Sequence, residues 1–60
     1  TCLTSAQAEQ LIDLFTFDEN RLEVAKYLSD RLTDRDNAGA LAKKLTFDSN
    51  KMEYRRYISE

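Results

Sequence analysis

The sixty-residue sequence has no proline, no histidine, one glycine and one cysteine, and each shortage narrows what it can be. With Gly39 as the sole glycine, the usual punctuation of loops is missing, so element boundaries must be read from capping residues. No histidine means no side chain whose ordinary pKa suits proton transfer near neutral pH. The single thiol, Cys2, has no partner for an internal disulfide and no evident activating base, and its place beside the terminus reads as a spectator. No apolar run approaches the roughly twenty residues that span a bilayer, and no basic stretch followed by an apolar one opens the chain. The expectation is a soluble chain with no membrane insertion.

What is present is charge of both signs. Eleven acids against nine bases give a net charge of −2 and a pI near 5.0, and the signs are interspersed. Nucleic-acid binders carry a basic face and a high pI, so no nucleic acid is expected as a partner. Only Arg55 and Arg56, with Lys51 one turn earlier, cluster, and Glu53 and Glu60 dilute them. With 33% charged and 42% hydrophobic residues, the balance is that of a folded helical domain, not a disordered tail. At this length a single core is only marginally stable, and a cleft with buried walls is hard to build.

Thr16–Ser29, TFDENRLEVAKYLS, returns thirty residues later at Thr46–Ser59 as TFDSNKMEYRRYIS, with seven of fourteen positions identical. Unrelated segments of average composition would share about one. The repeat extends backwards as well. Apolar residues at Ala8, Leu11, Ile12 and Phe15 have helical spacing, and Ala38, Leu41, Ala42 and Leu45 mirror them at the same offset.

Leu3-Thr4-Ser5-Ala6-Gln7 fits a capping box with Thr4 as N-cap and Gln7 as its partner, opening a first helix of about three turns. Asp18 reads as the next N-cap, with Phe17 and Leu22 placed as a hydrophobic staple; Phe47, Asp48 and Met52 repeat that relation. A second helix is expected over about Glu19–Leu32, with Leu22, Ala25, Leu28, Ser29 and Leu32 inward and Val24 and Tyr27 widening the stripe. Thr33 or Asp34 starts a third, and a fourth covers about Ser49–Ile58, carrying Met52, Tyr54, Tyr57 and Ile58. Connections of about three residues reverse the chain each time, which brings the two Phe-Asp-x-Asn strings to the same end. The reading is all-α: four short helices as two tandem helix-turn-helix repeats, with residues 1–60 one helical-repeat domain or a piece of a longer protein.

The strings Phe15-Thr16-Phe17-Asp18-Glu19-Asn20-Arg21-Leu22, Arg31-Leu32-Thr33-Asp34 and Leu45-Thr46-Phe47-Asp48-Ser49-Asn50-Lys51-Met52 resemble DUF4476, a bacterial helical-repeat domain of unknown function. The likeness covers nearly the whole chain, although the chain is shorter than the family's usual span and would lack a flanking helix. It implies the fold and, for location, an exported or envelope-linked protein. It implies no reaction, cofactor or ligand.

Three constellations bear on function. Asp34-Arg35-Asp36-Asn37-Ala38-Gly39 begins like a calcium loop, but position five is Ala38 and position twelve, where a bidentate Glu belongs, is Leu45, so an acidic helix start is the better reading. Asp18, Glu19, Asn20, Asp48 and Asn50 gather oxygens at the shared tip, yet capping already accounts for both aspartates, and no metal site is assigned. Tyr54, Arg55 and Tyr57 stand where the first copy has Val24, Ala25 and Tyr27. They are the candidate partner-binding residues, because aromatic and arginine side chains are enriched at protein interfaces.

Gly39 costs roughly 1 kcal/mol against alanine in a helix, and Ala38, Ala40 and Ala42 around it offer a small-residue surface for a close-packed helix. Serines and threonines fall where caps and helix ends want them, and Asp18 and Asp48 are expected on an exposed tip with no cleft to perturb them. The expectation is therefore no enzyme and no cofactor. The leading reading is a protein-protein interaction or scaffolding module whose partner is a protein or another part of the parent chain. The alternatives are a structural spacer repeat without its own ligand and a calcium-responsive regulator.

Overall fold

The computed structural model describes residues 3–59, all-α among those residues, in the order α1 (Ser5–Ile12), α2 (Asp18–Ser29), a 3₁₀ helix η1 (Arg35–Lys44) and α3 (Asp48–Ser59). Cys2 and Glu60 lie outside the described residues. No helix among them is long and apolar enough to cross a membrane. The bounds of α2 and α3 differ by the thirty residues of the sequence repeat.

Helix α1 opens as the capping box requires. The Gln7 N–H donates to Thr4 Oγ1 at 3.3 Å, and the Thr4 N–H donates to Gln7 Oε1 at 3.0 Å. Two orphan amides are thereby satisfied by one pair of side chains. Ahead of the box, Leu3 pairs with the segment that precedes η1: its N–H donates to Arg31 O, and Thr33 N–H donates to Leu3 O. The leading residues of the two halves thus lie side by side.

Helix α2 starts one residue earlier than Asp18 as N-cap would place it, with Phe17 in the capping position and no side-chain cap bond. The staple does not form either, since Phe17 is 67% exposed, and in the second copy Phe47 and Met52 are equally open. With the N-cap at Phe17, the register shifts by one and the stapling pair falls out of step. Helix α2 ends at Ser29, short of Leu32, which stays buried in the connection.

The third element is 3₁₀ along its whole length, not α, and this is the largest departure from the expected helices. Its ten residues, at about 2.0 Å each, run about 20 Å. That matches the roughly 18 Å of the twelve-residue α2 lying beside it. The stretched element returns the chain to its starting end with only Leu45–Phe47 left as connection, whereas the eight-residue α1 is followed by five linking residues, Asp13–Phe17. Arg21 closes both arrivals, donating from Nε to Phe15 O at 2.7 Å and from a terminal guanidinium nitrogen to Lys44 O at 3.4 Å.

All helix pairs touch except α1 with α3, so the four elements form a rhombus with α2 and η1 on its short diagonal. Its centre is Ala8, Ile12, Leu22, Ala25, Leu28, Leu32, Ala38, Leu41, Ala42, Leu45 and Tyr54. Ala38, Leu41, Ala42 and Leu45 are all buried as the pattern predicts. Their counterparts split: Ala8 and Ile12 are fully buried, but Leu11 and Phe15 stand partly open. An alanine side chain added at Gly39 meets no atom within 4 Å, so close helix approach does not explain this glycine.

Candidate functional site

Asp18 is the most constrained polar side chain, and it serves the opposite copy of the repeat. One carboxylate oxygen accepts the Thr46 N–H at 2.6 Å; the other accepts the Phe47 N–H at 3.3 Å and the Asn50 side-chain amide at 2.6 Å. From the start of α2 it therefore holds the two residues that lead into α3, together with the side chain of that helix's third residue. Only 6% of Asp18 is exposed. Burial works to raise its pKa, but the Asn50 amide and the two backbone N–H groups outweigh it and hold the carboxyl below the ordinary 3.8. The expectation of two equivalent aspartates on an open tip is corrected: Asp48 is exposed while Asp18 is enclosed.

Asp34 repeats the device at the other end. Its carboxylate accepts Ser5 N–H at 2.9 Å, Ser5 Oγ–H at 2.8 Å and the Asn37 amide at 3.1 Å. The Ser5 hydroxyl and the Asn37 amide lower its pKa. Two anions thus tie the first half to the second, each at a helix start where the backbone dipole favours negative charge.

The tip oxygens assemble differently from a cation site. Both Asp18 oxygens are filled by N–H donors, and no three Cys, Asp or Glu side chains converge among the described residues. In the Asp34–Gly39 stretch, Asp34 is turned onto Ser5 and Asn37, and Leu45, at the closing position of a calcium loop, is a core residue.

The structure separates the candidate trio Tyr54, Arg55 and Tyr57. Tyr54 is fully buried, its hydroxyl donating to Ala38 O at 2.7 Å, and burial is the main cause that pushes its pKa up to about 12. It is a core residue reaching between α2 and η1. Arg55 stays exposed. Tyr57 is 37% exposed, and its hydroxyl donates to Asp30 at 3.0 Å beside a cleft lined by Ser29, Arg35, Ala38 and Ile58. Alanines 38 and 42 are likewise covered by the chain itself.

A second surface carries more apolar area. A groove of about 800 Å³ runs between α1 and α2, lined by Leu3, Gln7, Gln10, Leu11, Leu14, Tyr27, Leu28 and Arg31. Leu14 is 78% exposed and Tyr27 58%, and the Arg31 guanidinium lies 4.0 Å from the Tyr27 ring centroid. Sequence reasoning placed Leu11 and Tyr27 on the inner stripe and passed over Leu14. The comparison of copies held the signal: Leu14 occupies the place of Lys44, a leucine where the repeat tolerates a solvated charge.

The family described as a domain of unknown function, DUF4476, matches residues 1–58. No curated protein and no solved structure matches the chain.

Proposed function

The chain belongs to the DUF4476 family, and from that premise we propose that it is a non-enzymatic module that binds another protein or another part of its parent chain, as a scaffold or adaptor. The single observation that carries this reading is the groove over Leu11, Leu14 and Tyr27, apolar area that a sixty-residue chain with a small core leaves in water. Arg55 and Tyr57 supply a second contact region on α3, of the composition interfaces favour. The carboxylates argue in the same direction. Asp18 and Asp34 are held as well-satisfied anions with lowered pKa values, whereas proton transfer at neutral pH calls for a carboxyl raised toward 7.

The test compares the chain with two variants as immobilised baits in an extract of its source cells: Leu14→Lys, and Arg55→Ala with Tyr57→Ala. A partner retained by the parent chain and lost from either variant supports the reading. Equal recovery by all three baits, or none by any, sinks it and leaves the spacer repeat.

A further inference from the structure

Resting on that reading, we propose that the groove is the docking site for one amphipathic helix of the α2 type: aspartate at its first position, an apolar residue at the fifth, a small one at the eighth and lysine at the ninth. The molecule contains the template for such a contact in the seam between its halves. There α2 delivers Asp18 to the N–H groups of Thr46 and Phe47 and to the Asn50 amide. Eight residues on, the Lys26 ammonium pairs with Glu53 at 2.6 Å and lies 5.6 Å from the Tyr57 ring centroid. Asp30 then accepts the Tyr57 hydroxyl. Leu41 is sealed inside this seam.

Every receiving group exists a second time, thirty residues earlier, on the outer side of the first half. Thr16 and Phe17 stand for Thr46 and Phe47, Asn20 for Asn50, Glu23 for Glu53, Tyr27 for Tyr57 and Leu11 for Leu41. Among the described residues, the Thr16 and Phe17 N–H groups and the Asn20 amide have no acceptor within the chain. Leu11 and Tyr27 line the groove, where the Tyr27 ring already carries the Arg31 guanidinium, and Leu14 extends it. The outer side of the first half is thus the receiving face of the seam, continued by one repeat.

The geometry favours a helix over a whole second copy. A copy would have to present the outer side of α3, where Arg55 replaces the fully buried Ala25 of α2. Burying that guanidinium without a partner is costly. A helix with a small residue there meets no such obstacle.

The experiment titrates the ¹⁵N-labelled chain with a synthetic peptide of its own residues 16–30, and repeats the measurement with the peptide joined to the chain's N-terminus by a Gly/Ser linker, which raises its effective concentration to about millimolar. Expected are saturable shifts at Thr16, Phe17, Asn20 and Tyr27, and about tenfold weaker binding for an Asp18→Asn peptide or for a Leu14→Lys chain. Because Leu14 is exposed, the Leu14→Lys chain should keep its melting temperature. No shifts in either format, or shifts indifferent to Leu14→Lys, overturn the proposal. Self-association of the chain that Leu14→Lys abolishes would seat a second copy in the groove and also overturn it. If the peptide fails while a partner is still captured through Arg55 and Tyr57, this occupant falls and the interaction module stands; failure of both removes both.

Discussion

Asp18 and Asp48 occupy the same place in the repeat, with the same Phe before and an Asn two residues after, yet their surroundings differ. Asp18 makes three charge-assisted hydrogen bonds in a site closed to solvent, while Asp48 faces water. Substituting Asp18→Asn should therefore cost about 1.5–3 kcal/mol, the range for bonds to an ionised partner. Asp48→Asn should stay within about 0.5 kcal/mol of the parent. Urea denaturation of both variants measures the difference, and equal losses would contradict the asymmetry. Tyr54 is a second residue whose role its neighbours decide. Tyr54→Phe removes the hydroxyl that donates to the Ala38 carbonyl, which keeps its place in the 3₁₀ ladder of η1, for an expected loss of about 0.5–1.5 kcal/mol, read from the same denaturation curves.

The elements differ in how far they were legible. The start of α1 followed from the capping box alone, because Thr4 and Gln7 satisfy each other locally, but its end did not: the helix stops at Ile12 after eight residues, short of the expected three turns that included Phe15. The positions of α2 and α3 followed from the repeated Phe-Asp string, although Asp18 is not the N-cap of α2: its carboxylate bonds across the seam to the residues leading into α3, and Asp48 faces water. The 3₁₀ character of Arg35–Lys44 was not legible, since helical spacing at Ala38, Leu41 and Ala42 suits either winding and the choice depends on the length of α2 beside it. Gly39 sits in that element with open space around its α-carbon. Gly39→Ala should stabilise the chain by about 0.5–1 kcal/mol, by reducing the freedom of the unfolded state. A rise in melting temperature of a few degrees checks it, and a fall would mean that η1 needs the glycine.

For the molecule as a whole, two carboxylates join the halves, Asp18 at one end and Asp34 at the other, and both have pKa values below the ordinary 3.8. The folded state thus binds their protons more weakly than the unfolded chain does. Their contribution is fully present above the unfolded pKa and is lost as pH falls through the lower, folded values. Melting temperature should be flat from about pH 7 to about pH 5 and drop progressively below about pH 4, and an Asp18→Asn chain should show a shallower drop.

Composition, periodicity and the repeat by themselves determined an all-α chain, four helices in order and most of the core, because those properties depend on the spacing of apolar side chains and on caps three residues long. Tertiary structure alone decided which copy of each repeated residue is used. A residue at the seam and its twin on the outer face share a sequence environment but not a neighbour. Burial, hydrogen bonding and charge stabilisation all act through that neighbour, so Asp18 became an internal tie between the halves and Tyr54 core, while Leu11, Leu14 and Tyr27 were left facing water as a groove.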